Sequence, residues 1–452
     1  MTNSTSTPGV VGGRLPKSEF EKRFSSELRP PLTVQEAAVA ADRCYFCHDA
    51  PCVTGCPTGI DIPMFIRQIS SGMPEAAART IFDSNILGGS CARVCPTEVL
   101  CEQVCVREPS GGGPVEIGRL QRFATDRLME QPAHPYDRAT ATGRSIAIVG
   151  AGPAGLACAH RLAMKGHEVV ILEARRKGGG LNEYGIAPYK VVEDFAAREI
   201  NWLLGIGGIR LEKDVDPVDA AGLEQLREEF DAVFIGVGLN GVNHFALDGG
   251  NLGNVVNAVD FIADIRQSDD LAEIPVGRDV VVIGGGMTAI DAAVQCRLLG
   301  GLNVTILYRR SRDEMGASVH EQAIAAALGV NFVTDARLIR ILGGGAAESI
   351  EYEVTERAGK DRIGSGQIYT LKADLVLSAI GQRLQDAPDR LALKNGRIKV
   401  SGNGRTSLSG VWAGGDCVAG GQDITVAAVA QGRDAAEDMH AALSRPAEES
   451  GR

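Results

Sequence analysis

The sequence predicts an α/β protein, with a cysteine-rich helical segment at the N-terminus followed by two doubly wound parallel sheets. Three observations carry that prediction. Eight of the 11 cysteines fall between Cys44 and Cys105, amid segments with helical apolar spacing. Beyond residue 143 the chain turns into short β-rich runs alternating with helices, the pattern of parallel sheets covered on both faces. Within that region one unit, an apolar strand running into a glycine turn that opens a helix, occurs twice.

The elements follow in order. Residues 1–30 read as a polar arm, and 34–43 (VQEAAVAADR) as a helix leading into the first cysteine run. Residues 62–83 are helical by apolar spacing with a break near Gly72, and 115–130 form an amphipathic helix. The segment 132–143 is a linker by composition. Strands are expected at 146–149, 169–172 and 231–238. The pattern restarts at 279–283 and 303–307, and 374–380 (DLVLSAI) mirrors 231–238 (DAVFIGVG).

Bulk properties exclude several classes. With 44% hydrophobic residues in 452, the chain should bury full cores in two to four domains. A net charge of -11 argues against a nucleic-acid partner, which would need a basic face. No apolar run reaches the roughly 18 residues that span a bilayer, and the N-terminus has no secretory apolar core. The expected location is the cytoplasm, where clustered cysteines more often bind metal than form disulfides.

The first glycine turn is Gly150-Ala-Gly152-Pro153-Ala154-Gly155, between a strand and a helix. Such glycines permit the tight turn and let backbone N–H groups approach a pyrophosphate at the helix N-terminus. Glu173, at the end of the next strand, is placed to accept hydrogen bonds from a ribose diol. Gly178-Gly-Gly180-Leu181 just beyond it, and the distant run 410–416 (GVWAGGD), select FAD. Asp416 would bind a ribityl hydroxyl, and the stretch to Thr425 would present a backbone N–H to the flavin ring. The plainer readings are a glycine turn needed only for helix–strand packing and an ordinary β-turn aspartate.

The second turn, Gly284-Gly-Gly286-Met287-Thr288-Ala289, ends in the permitted alanine variant. Its next strand ends in Tyr308-Arg309-Arg310 with no acid. Arginines there suit a 2′-phosphate and favour NADPH over NADH, unless they are two solvated strand-end residues. The expected domains are thus 1–140 (helical), 141–250 with 385–452 (FAD), and 251–384 (NAD(P), inserted in the FAD domain).

The cysteine runs are Cys44-x2-Cys47-x4-Cys52-x3-Cys56 and Cys91-x3-Cys95-x5-Cys101-x3-Cys105. Soft thiolates on loops freed by Pro57 and Pro96 suit two iron–sulfur cubes. Structural zinc is the alternative, although it more often uses paired two-residue spacings. Cys158, Cys296 and Cys417 read as small buried residues.

With these motifs in view, the whole chain resembles the small flavin subunit of bacterial NAD-dependent dihydropyrimidine dehydrogenase. It is similar also to the N-terminal half of the single-chain mammalian enzyme and to the small subunit of glutamate synthase. The resemblance implies one [4Fe-4S] cluster on Cys44, Cys47, Cys52 and Cys105. It implies a second on Cys56, Cys95, Cys101 and Gln121, with Cys91 spare. FAD would be held by Gly150–Gly155, Glu173, Gly180, Leu181, Lys190, Asp416 and Thr425. The nicotinamide nucleotide would be held by Gly286–Ala289, Arg309, Arg310 and the Ala379-Ile-Gly381 turn. The resemblance also implies NADH as the reductant, and a partner subunit containing FMN and its own [4Fe-4S] clusters, joined in a heterotetramer. That partner would reduce uracil or thymine to the 5,6-dihydro form. The glutamate synthase branch has Glu where this chain has Gln121, which tips the choice to dihydropyrimidine dehydrogenase. The remaining alternatives are a glutamate synthase small subunit, a stand-alone NAD(P)H:acceptor (ferredoxin) reductase, and a cluster-bearing scaffold with vestigial nucleotide folds, against which intact Glu173 and Asp416 argue.

Overall fold

The computed structural model describes residues 9–444 except Ser26, Ser110, Lys360, Asp386 and Asp389. The chain divides into two compact units. One joins Arg29–Glu183, Glu193–Gly241 and the chain from Arg383 on; the other joins the chain up to Leu28, Tyr184–Val192 and Val242–Gln382.

The first unit begins with the cysteine-bearing helices. Val34–Asp42 starts at a capping box, in which the Thr33 hydroxyl accepts the Glu36 N–H (3.2 Å) and the Glu36 carboxylate accepts the Thr33 N–H (2.8 Å). Ile62–Ser70 buries Ile62, Phe65, Ile66 and Ile69, a stripe spaced for one helical face. The expected break follows, because Gly72 is left-handed (φ 75°) and Pro74 opens the helix Pro74–Ser84. Helix Ile117–Met129 buries Leu120, Gln121, Ala124 and Leu128.

Behind them lies a parallel sheet in the order Val411–Ala413, Ala232–Ile235, Ser145–Val149, Glu168–Leu172, Ile209–Glu212. Phe65, Ile81 and Leu120 from the helices belong to one hydrophobic core with Ile146, Ile148, Leu162 and Val429 from the sheet and its helices. The cysteine module is therefore not a bead on a linker. Helix Thr425–Leu443 lies tight on Pro153–Met164, since a Cβ at Gly432 would run into the Ala154 carbonyl.

The second unit repeats the architecture. Its parallel sheet runs Val255–Asn257, Leu375–Ser378, Asp279–Ile283, Asn303–Leu307, Val330–Val333. Besides the edge strands Ile209–Glu212, Val255–Asn257 and Val330–Val333, which the sequence reading did not name, two features depart from it. Part of the expected polar arm is a helix, Lys17–Ser25, with Phe20 and Phe24 buried in the same core as Ile262 and Val276. Two aromatics four apart suffice for an apolar stripe, but the charged residues around them hide it in composition. Residues 1–8 of that arm lie outside the described residues. The second departure is an antiparallel sheet of Ala336–Leu342, Ser349–Ala358 and Asp361–Lys372. Its strands are rich in charge and carry no continuous apolar run. Among the described residues no helix is long and apolar enough to cross a membrane.

Candidate functional site

The first glycine turn is built as its sequence requires. Gly150 is left-handed (φ 101°), and its N–H reaches the Leu172 carbonyl at 2.8 Å. A Cβ at Gly155 would strike the Gly150 carbonyl, so helix and strand meet only with glycine there. Gly152 caps helix Pro153–Met164 without any side-chain cap, leaving first-turn N–H groups for an anion. A Cβ on Gly152 would have nothing closer than 3.8 Å, so the approach to the turn is open.

The residues expected with it converge. Glu173, buried, accepts the Ala151 N–H (2.8 Å) and the Arg175 N–H (2.9 Å). It thus holds the turn, and each oxygen keeps a lone pair for a diol. Gly180 abuts Gly152, since a Cβ there would stand 2.9 Å from the Gly152 Cα. Ala154 also meets the 414–416 turn, where a Cβ on Gly415 would lie 3.1 Å from its own. The half-buried Asp416 carboxylate accepts no hydrogen bond from the described residues. Burial pushes its pKa up to about 6; the Asp423 charge adds to the shift and Arg397 opposes it. A carboxylate held half out of water without a donor fits hydroxyl groups of a bound ligand. Thr425 donates to the Asn182 Oδ1 (2.8 Å), next to Leu181.

Lys190 belongs to the second unit, where its ammonium lies 2.7 Å from both Asp291 and Glu321. Burial alone would lower its pKa; the two carboxylates outweigh that and hold it raised.

The second turn matches the first. Gly286 caps helix Met287–Leu298 without a side-chain cap, and a Cβ there would meet nothing within 4 Å. Met287 and Thr288 are half-buried at the helix entrance and Ala289 is buried. Gly284 lies against the Ala379 carbonyl, and the Ala379 N–H bonds the Ile283 carbonyl (2.9 Å). Gly381, left-handed at φ 99°, accepts the Asn243 N–H at 3.1 Å. Arg309 and Arg310 are exposed, and neither guanidinium has a hydrogen bond or ion pair among the described residues.

The thiols fall into two neighbourhoods. Cys44 and Cys52 are raised first by burial and further by Cys47 and Cys105, Cys52 to about 12. Cys95 is raised by a hydrogen bond with Cys91, then by burial, then by Cys56 and Cys101. Cys101 is raised by burial, Glu102, Cys56 and Cys52. Thiols so crowded resist becoming thiolates unless a cationic centre takes them, which is what iron supplies. Among the described residues no three Cys, His, Asp or Glu side chains converge on one ion; the thiolates of a cube stand apart, each on a different iron. Gln121 is buried, with its Nε2 donating to the Gly88 carbonyl (2.7 Å), which leaves Oε1 as the atom that could meet a metal.

Sequence reasoning missed three supports. Gln431 accepts the Gly415 N–H (2.7 Å) and so fixes the Asp416 turn. Arg433, in the same helix, donates to the carbonyls of Thr58 (2.7 Å) and Ser84 (2.8 Å), tying that helix to the loop after Cys56. Glu199, fully buried, accepts the Ser90 N–H (2.9 Å) and hydroxyl at the start of the helix that carries Cys91. Local spacing gives no signal for any of them, because each acts on a segment far away in sequence.

Residues 21–133 match the family model of dihydropyrimidine dehydrogenase domain II, 4Fe-4S cluster, and 144–432 that of pyridine nucleotide-disulphide oxidoreductase. The chain is 34% identical over 421 residues to the NAD-dependent dihydropyrimidine dehydrogenase subunit PreT of Escherichia coli K12, covering 93% of this chain and 97% of that one. It is 32% identical over 459 residues to the glutamate synthase [NADPH] small chain of Azospirillum brasilense, covering 96% and 94%. Among solved structures, Mycobacterium tuberculosis FprA in complex with NADPH shares the fold, with a TM-score of 0.56 at 20% identity over 66% of this chain and 84% of that one.

Proposed function

The chain belongs to the pyridine nucleotide-disulphide oxidoreductases, among the cluster-bearing subunits of dihydropyrimidine dehydrogenase and glutamate synthase type, and from that premise we propose that it is the electron-input subunit of a dihydropyrimidine dehydrogenase. It is an NAD(P)-dependent oxidoreductase. In the proposed reaction it oxidises NAD(P)H at FAD and delivers electrons, by way of two [4Fe-4S] clusters, to a partner subunit. That partner, carrying FMN and its own clusters, interconverts uracil or thymine and their 5,6-dihydro forms.

Bound, the flavin supplies hydride acceptance and the clusters single-electron carriage. The protein's share is binding and orientation. The N–H groups of the first turn would receive the pyrophosphate, Glu173 the ribose, and Asp416 the ribityl chain. Gly286–Ala289 would receive the nicotinamide nucleotide. Cys44, Cys47, Cys52 and Cys105 would hold one cluster; Cys56, Cys95, Cys101 and Gln121 the other.

One observation carries the reading: the cysteine helices share a single core with the sheet that bears the first glycine turn. A redox relay needs that fixed spacing between carriers, and a shared core provides it. The test is anaerobic purification with metal and flavin analysis. The account expects FAD and roughly eight iron atoms per chain, two cubes of four. Zinc without iron would overturn it.

A further inference from the structure

The end of the second strand of the nicotinamide unit is a crowded electrostatic site. Beside Arg309, Arg310 and Arg312, the cation Arg362 meets two acids, Glu314 and Asp335. The acids are close to the two strand-end arginines. The Asp335 N–H bonds the Arg310 carbonyl (2.9 Å), and Glu314 caps the turn at Ser311, its carboxylate accepting the Ser311 hydroxyl (2.8 Å) and N–H (3.2 Å). The Tyr308 hydroxyl donates to the Glu314 carbonyl (2.9 Å), and its ring covers Gly285.

Among the described residues neither Glu314 nor Asp335 pairs with Arg309 or Arg310. Instead Arg362, reaching from the antiparallel sheet, takes both: one guanidinium nitrogen pairs with Asp335 and another with Glu314. Arg312 is spent elsewhere, donating to Gln322 (3.0 Å). Arg309 and Arg310 are left exposed and without an ion pair among the described residues.

We propose that Arg362 is a positioning residue for nicotinamide specificity: by occupying Glu314 and Asp335 it keeps Arg309 and Arg310 free for a 2′-phosphate, and the chain takes NADPH in preference to NADH. Two free guanidinia match a phosphate dianion, whereas a ribose 2′-hydroxyl would want an unpaired carboxylate where the strand runs out into Tyr308-Arg309-Arg310. This inference rests on the second turn being the nicotinamide site.

The test uses the anaerobic holoprotein with ferricyanide as acceptor, together with binding of 2′,5′-ADP and 5′-AMP as probes. Wild type should favour NADPH in kcat/KM by at least about tenfold, the scale of one charge-assisted hydrogen bond. It should bind 2′,5′-ADP more tightly than 5′-AMP. Arg362→Ala should raise the KM for NADPH far more than that for NADH and weaken 2′,5′-ADP. Arg362→Lys should retain part of the preference. Adding Glu314→Gln and Asp335→Asn to the Ala variant should restore it, an outcome that a merely structural role would not give. Preference for NADH in wild type, or equal loss for both cofactors in Arg362→Ala, would overturn the inference. Failure of either nucleotide to bind or turn over would instead strike at the nicotinamide reading itself.

Discussion

At the residue scale, the chemistry-bearing side chains were legible where their type is costly in any other role. Cysteines at cluster spacing and glycines at a phosphate turn announce themselves; Glu199 does not, because its partner Ser90 is remote in sequence. Gln121 could be read only through family resemblance, since a helical glutamine has no spacing signature, yet it is buried and oriented by the Gly88 carbonyl. Gln121→Ala should lower iron content and remove or alter one cluster's EPR signal; unchanged iron and spectra would contradict its role as a ligand. Glu199 gives a pH prediction. Burial, opposed by the Ser90 hydrogen bonds, pushes its carboxyl from 4.5 to about 7. Between those values the native state keeps a proton that the unfolded chain has released, so stability falls as pH rises through that window and is level above it. The slope is about 1.4 kcal/mol per pH unit for one such group. Glu199→Gln should shrink the fall in apparent Tm between about pH 5 and about pH 8, and an undiminished fall would show that the group does not carry it.

At the element scale, periodicity served wherever an apolar stripe met a core. The helices Ile62–Ser70 and Ile117–Met129 and the inner strands of both parallel sheets were readable for that reason, whereas the edge strands Ile209–Glu212, Val255–Asn257 and Val330–Val333 were not. The helix Lys17–Ser25 was not, because its two phenylalanines sit among charges. The antiparallel sheet was missed because its cross-strand pairing, such as Tyr352 opposite Tyr369, is set by partners rather than by any single strand's pattern. Close helix packing is likewise invisible in one segment. Gly432→Val should push helix Thr425–Leu443 off Ala154, at an overpacking cost of about 1–3 kcal/mol. Because that helix also carries Thr425 and Gln431, the variant should lose flavin along with thermal stability. A lowered Tm with full flavin content would separate the helix from the flavin site.

At the scale of the whole molecule, the fold class and the repeated strand–turn–helix unit were legible because each nucleotide turn is local in sequence. The partition into units was less so. The chain up to Leu28 and Tyr184–Val192 join the second unit through contacts that no local pattern encodes, and Lys190 travels with them. The shared core of cysteine helices and first sheet is the feature that makes an electron-delivering subunit the central claim. The most direct test of it is anaerobic co-purification of the tagged chain from its own host, with partners identified by mass spectrometry and flavins released for analysis. The account predicts a partner that contains FMN and clusters, and nicotinamide-dependent reduction of uracil by the complex. A large amidotransferase partner, or FAD with no partner at all, would contradict it, in favour of a glutamate synthase subunit or a free-standing reductase.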